Sequence, residues 1–138
     1  MKEENCIFCK IANGEIPAAT LYEDDLFRVI LDLGPASKGH ALILPKEHYA
    51  NIYEIDSEVL GKAAKLAQKI ISHETKVLGC EGYNVVQNNG EVAGQTVFHF
   101  HMHLIPRYAA DDNTGVLEWN HKEFSDEEFA QICQDMKM

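Results

Sequence analysis

Apolar and polar positions alternate in the stretch Val97-Phe98-His99-Phe100-His101-Met102-His103-Leu104-Ile105. Period two is the mark of a half-buried strand. In a strand the residues i, i+2 and i+4 share a face. The pattern therefore predicts His99, His101 and His103 on one face, roughly 7 Å apart. It sends Phe98, Phe100, Met102 and Leu104 to the opposite face, into a core, and Pro106 ends the strand.

The rest of the chain reads around that strand. Cys6 to Ile16 predicts a short helix, stopped near Gly14 and Pro17. Thr20–Glu23 and Phe27–Leu31 predict two strands about a turn at Asp24-Asp25, and His40–Leu44 a third, ended by Pro45. Ser57–Leu78 carries Val59, Leu60, Ala63, Ala64, Leu66, Ala67, Ile70, Ile71, Val77 and Leu78 at helical spacing. Asp56 or Ser57 caps its start and Gly79 its end. Tyr83–Gln87 predicts a fourth strand, followed by a polar loop, Asn88 to Gly94. Asp111–Lys122 is irregular. Ser125-Asp126-Glu127-Glu128 is a capping box for a last helix, with Phe124 and Phe129 as a hydrophobic staple. Strands joined by hairpin-like links and covered by helices predict an α+β domain with an antiparallel sheet of about five strands. There is no repeat or interdomain linker, so 138 residues make a single domain.

Composition narrows the partners. The net charge is −10, which disfavours nucleic acid, because backbone binding needs a basic surface. Met1 to Asn5 lacks the apolar run of a signal peptide, and no stretch approaches a membrane span. The expectation is a cytoplasmic protein. Of the four cysteines, Cys6 and Cys9 are close enough to act together, as a metal or redox pair. Cys80 and Cys133 read as free thiols.

The histidine stretch admits three readings. One is a strand that happens to carry histidines; the concentration of titratable groups beside a Gly-, Asn- and Gln-containing loop argues against it. The second is a metal site, since three histidines and a water make a catalytic zinc centre. The third is covalent catalysis, with the middle imidazole attacking phosphorus and the loop's N–H groups and amides holding phosphate oxygens.

The motif His99-x-His101-x-His103-x-x, with apolar x, resembles the signature of the histidine triad (HIT) superfamily. Gly94-Gln95-Thr96-Val97 before it and Pro106-Arg107 after it agree. Lys38-Gly39-His40-Ala41-Leu42-Ile43-Leu44-Pro45-Lys46-Glu47-His48 resembles a second family hallmark. Cys6-Ile7-Phe8-Cys9-Lys10-Ile11 and Gly14-Glu15-Ile16-Pro17 resemble its N-terminus. The match keeps order and spacing over about 6–107, leaving an extension over about 108–138. The bacterial Hint-type branch, small dimeric nucleotide-binding enzymes, is the most similar.

The resemblance implies a HIT-like fold and a hydrolase or transferase acting on purine nucleoside phosphoramidates or dinucleoside polyphosphates. His101 matches the nucleophile at the α-phosphate, forming a nucleotidyl-histidine that water resolves to the nucleoside monophosphate. His103 matches a residue at the phosphate and leaving group, and His40 a supporting histidine. Asn88, Gln95 and Thr96 match residues holding the phosphate, and Asp32 one that accepts from the ribose. Phe8, Ile11, Ile30 and Leu33 match the base pocket. Related proteins complete a structural zinc site with two histidines, here His48 and His99 beside Cys6 and Cys9. A homodimer through the main helix and an extended sheet is also implied. The alternative is a nucleotide-binding or scaffolding protein whose hydrolysis is incidental.

Overall fold

The computed structural model describes residues 2–111, 117 and 119–138. Part of the irregular stretch Asp111–Lys122 therefore lies outside the described residues. The element order is α1 (Ile7–Ala12), β1 (Thr20–Glu23), β2 (Phe27–Leu31), β3 (Ala41–Pro45), α2 (Ser57–Leu78), β4 (Gly82–Val86), β5 (Met102–Arg107) and α3 (Asp126–Met136). The strands form one antiparallel sheet in the order β1-β2-β3-β5-β4. The α+β architecture is the one expected. No helix among the described residues is long and apolar enough to cross a membrane.

The long helix has the bounds its periodicity predicts, and the choice of cap falls on Asp56. Its carboxylate accepts from the N–H groups of Glu58 and Val59, two donors that the first turn leaves without helical partners. Gly79 ends the helix at φ 66°, the left-handed conformation that glycine adopts most freely. The capping box at Ser125 and Glu128 also forms, and the rings of Phe124 and Phe129 meet edge to face at 5.6 Å.

The central strand β3 is buried on both faces, which is why Ala41-Leu42-Ile43-Leu44 reads as a continuous apolar run. Its alternation still decides what each face meets. Ala41 and Ile43 join Phe27, Val29, Phe100, Met102 and Leu104 against Ala63, Leu66, Ala67 and Ile70 of α2. Leu42 and Leu44 join Ile30 on the opposite face, under Phe8, Ile11 and Ala12 of α1. His103 is the register partner of Leu42, so its side chain belongs to the α1 face. The thick core thus lies behind the sheet, and the titratable groups lie in front of it.

Two expectations about the histidine stretch need correction. β5 does not begin at Val97: the ladder with β3 stops at Ile43↔Met102, and His99 and His101 precede the strand. Pro45 is the physical reason, because it has no N–H to continue the ladder. The Phe100 N–H instead donates to the Tyr49 carbonyl at 2.6 Å. Freed from the pleat, Phe98 is 49% exposed rather than in the core. Nor does Pro106 end the strand; it pairs with Tyr83 inside β5. By that point β5 has outrun β3, whose pairing reaches only Leu104, so no β3 acceptor waits for the missing donor.

Three boundaries shift as well. α1 ends at Ala12, where Asn13 caps it by donating from Nδ2 to the Cys9 and Lys46 carbonyls. β3 runs from Ala41 to Pro45 rather than from His40 to Leu44, and β4 from Gly82 to Val86 rather than from Tyr83 to Gln87.

Candidate active site and metal centre

The site is built from two groups of side chains in front of the sheet. Cys6 and Cys9 open α1; Cys6 is its N-cap, and its Sγ accepts from the Cys9 N–H at 3.3 Å. The loop after β3 brings His48, and the segment before β5 brings His99. Their ligand atoms converge. Cys6 Sγ and Cys9 Sγ each lie 3.4 Å from His99 Nδ1, and Cys9 Sγ lies 3.3 Å from His48 Nδ1. All four atoms lie within 4.8 Å of one another. A tetrahedral zinc with ordinary bond lengths requires sulfur–nitrogen separations of about 3.5 Å. Two thiols and two imidazoles are also the donor types that zinc prefers.

The tautomer of His99 fits the same role. Its Nε2 lies 2.8 Å from the Pro45 carbonyl oxygen, which only accepts, so Nε2 carries the proton. Nδ1 is left with its lone pair toward the sulfurs. Metal-ligating histidines commonly have such a backbone partner. Burial, then the charges of His48 and His101 against the help of the Pro45 carbonyl, holds the His99 imidazole down to about 4. Burial pushes the Cys9 thiol up.

The second group is His101, His103, His40 and Asp32. His101 is 6% exposed, and its ring meets Phe8 and His103 edge to face, each at 5.0 Å. His101 Nδ1 lies 2.7 Å from the His99 carbonyl oxygen. By the same argument Nδ1 carries the proton, and Nε2 keeps the lone pair that a nucleophile needs. Burial lowers the basicity of His101, and the His99 carbonyl and the Asp32 charge partly offset it. His40 Nε2 lies 2.9 Å from His103 Nδ1 and 3.5 Å from Asp32 Oδ2. Burial, with His101 and His40 nearby, brings His103 down to about 4. Burial also lowers His40. Asp32 Oδ1 accepts from the Gly34 N–H at 2.8 Å.

The three histidines of the motif have unequal surroundings, and only His103 lies within β5. His99 turns to the cysteines, His101 sits between Phe8 and His103, and His103 contacts His40. Of the apolar residues matched to a base pocket, Phe8, Ile11 and Ile30 pack in one cluster. Leu33 stands apart from it, 97% exposed.

The polar loop after β4 divides in a similar way. Gln95 is 1% exposed, and its amide is fully engaged with backbone: Oε1 accepts from Gly90, and Nε2 donates to Ala50 and Val97. It braces the loop. Among the described residues, the Asn88 carboxamide and the Thr96 hydroxyl have no such partner. Asn88 follows β4 by two residues, just beyond the last ladder pair, Val86↔His103.

Sequence reasoning missed the loop around His40. The Ala36 N–H donates to His40 Nδ1 at 2.9 Å, and the Ser37 hydroxyl donates to the Pro106 carbonyl at 2.6 Å. Gly39 holds this loop close: at φ +93° a Cβ would stand 2.7 Å from Leu78 Cδ1. Composition marks the segment as a loop, but nothing in it tells which N–H meets an imidazole.

The antiparallel sheet and the histidine cluster in front of it agree with a histidine triad protein. The HIT domain family model matches residues 13–110, and the chain belongs to that family. It is 42% identical over 132 residues to adenosine 5'-monophosphoramidase hnt1 of Schizosaccharomyces pombe, covering 96% of each chain. It is 44% identical over 118 residues to the protein hit of Bacillus subtilis, covering 86% of this chain and 81% of that one. The crystal structure of a Streptococcus mutans protein superposes with a TM-score of 0.90 at 36% identity, covering 98% of this chain and 85% of that one.

Proposed function

We propose that this protein is a nucleotide hydrolase or transferase in which His101 attacks the α-phosphate of a purine nucleoside phosphoramidate or dinucleoside polyphosphate. The observation that carries the reading is the 2.7 Å bond from His101 Nδ1 to the His99 carbonyl, which leaves Nε2 unprotonated. The Nε2 pair forms the bond to phosphorus as the bond to the leaving amine or phosphate breaks. Water then cleaves the nucleotidyl-histidine and releases the nucleoside monophosphate. The likeness to a phosphoramidase of S. pombe supports the substrate class.

The other residues take roles around that step. His103 stands beside the phosphate, with His40 behind it. Asn88 and Thr96 offer donors to the phosphate oxygens, on a loop that Gln95 braces. Asp32 accepts from the ribose hydroxyls. Phe8, Ile11 and Ile30 form the apolar slot for the base, and Leu33 is at its exposed rim by resemblance to the family alone. Cys6, Cys9, His48 and His99 hold a structural zinc, whose contribution is to tie α1 to the segment bearing His101. Two cysteines not joined in a disulfide at that site suit the reducing cytoplasm. The edge strand β4, where Val85 is half exposed, supports a homodimer formed through α2 and an extended sheet.

The test is His101→Ala. Turnover and the trapped nucleotidyl-enzyme should both vanish while the circular dichroism spectrum stays native; full activity in the variant would refute the mechanism. A scaffolding role with incidental hydrolysis predicts near-background turnover on every adenylate tested with the native protein.

A further inference from the structure

The described residues contain a second convergent group, Asp32, His40 and His103, whose ligand atoms also lie within 4.8 Å of one another. By ligand type alone, two histidines and a carboxylate could also hold a cation. The backbone partners of the two sites are opposite in kind. At His99 the nitrogen remote from the cluster faces a carbonyl, so the near nitrogen keeps its lone pair. At His40 the remote nitrogen, Nδ1, faces the Ala36 N–H, so the near nitrogen, Nε2, must carry the proton.

We infer that the Ala36 amide fixes the tautomers of His40 and, through it, His103, making this cluster a hydrogen-bond donor to phosphate and disfavouring a metal in it. The chain of bonds runs in one direction. Ala36 N–H donates to His40 Nδ1, and His40 Nε2–H donates to His103 Nδ1 at 2.9 Å. A neutral His103 whose Nδ1 accepts must carry its proton on Nε2. Both imidazoles are held neutral by burial. Ala36 and His40 are positioning residues, and His103 is the one that touches substrate. This role for His103 rests on the reading of the site given under Proposed function; the weakening of metal binding does not.

A cation at this cluster needs the His40 Nε2 lone pair. Supplying it moves the proton to Nδ1, where it confronts the Ala36 N–H, two donors without an acceptor. The lost hydrogen bond alone weakens a metal here by about tenfold or more. One backbone N–H and one backbone carbonyl thus reinforce the sorting that the two thiols of the first cluster begin.

The experiment has two arms. In the first, the native protein is labelled with 15N-histidine and the ring nitrogens are assigned by long-range proton–nitrogen correlation, without substrate. His40 and His103 should both be the Nε2–H tautomer; Nδ1–H at either would overturn the inference. In the second, zinc is titrated against a chromophoric chelator with the native protein and with Ala36→Pro, which lacks the N–H. The native protein should take one equivalent. Ala36→Pro should take a second, and lose it again when Asp32→Asn is added. Two equivalents in the native protein, or one in a folded Ala36→Pro, would contradict the inference. If Ala36→Pro does not fold, the tautomers of the native protein decide alone. Neither arm uses turnover, so a failure here is distinct from a failure of the histidine-nucleophile mechanism.

Discussion

The carbonyl oxygen of His99 orients the imidazole of His101 at 2.7 Å, while the side chain of His99 faces Cys6 and Cys9. One residue thus belongs to both groups of the site: its ring to the sulfurs and its backbone to the imidazole of His101. Whatever holds the ring of His99 also holds the direction of the His101 lone pair.

That coupling predicts the effect of removing the metal. The Cys6→Ala/Cys9→Ala variant should lose its zinc equivalent, as measured by elemental analysis. Its melting temperature should fall by roughly 10 °C, the shift expected for about 3–4 kcal/mol in a chain of this size. Turnover should drop but persist, because in the proposed mechanism a zinc at these four residues would position His101 without entering the reaction. Zinc retained on the remaining histidines would point instead to a metal centred on the motif itself.

The loop carrying Ala36 depends on a glycine. Gly39 combines φ +93° with a Cβ position 2.7 Å from Leu78 Cδ1. Gly39→Ala should destabilise the fold by at least about 1 kcal/mol in urea unfolding, since alanine at positive φ is strained even before the clash. Gly61 on α2 has nothing within 4 Å of its Cβ position and no positive φ, so Gly61→Ala should stabilise instead. Equal effects at the two positions would contradict the close packing of the loop on α2.

Stability should depend on pH through the buried histidines. His103 has an ordinary value of 6.5 and falls to about 4 in the fold, lowered first by burial and then by His101 and His40. Between those values the unfolded chain binds more protons than the folded one. Stability from a neutral His103 is therefore complete above 6.5 and declines as pH falls toward 4. Unfolding curves of the native protein and His103→Asn should converge as the pH is lowered through that window. Parallel curves would show that His103 is not held neutral by the fold.

Much of this architecture is written in local chemistry. The long helix carries both caps and a clear period, and β1 and β2 fall where their apolar runs end. The family resemblance groups Cys6 and Cys9 with His48 and His99, and the fold brings their ligand atoms within 4.8 Å of one another. What escaped the sequence is non-local. The period-two pattern of residues 97–105 does not reveal that Pro45, on another strand, lacks the donor needed to continue the ladder. Nor does it show that β5 outruns β3 and so tolerates Pro106. Gln95 looks like a substrate-facing amide until its partners Gly90, Ala50 and Val97 are seen. Ala36 could not be singled out, because it acts through a backbone group that every residue except proline possesses.

The central claim is that His101 makes a covalent bond to phosphorus. The direct measurement is mass spectrometry of the native protein mixed rapidly with an adenosine phosphoramidate and quenched, followed by peptide mapping. The account predicts a mass increase of one adenylyl group, located on His101, that decays as adenosine monophosphate appears and is absent in His101→Ala. An adenylyl group on another residue, or turnover at full rate in His101→Ala, would contradict it.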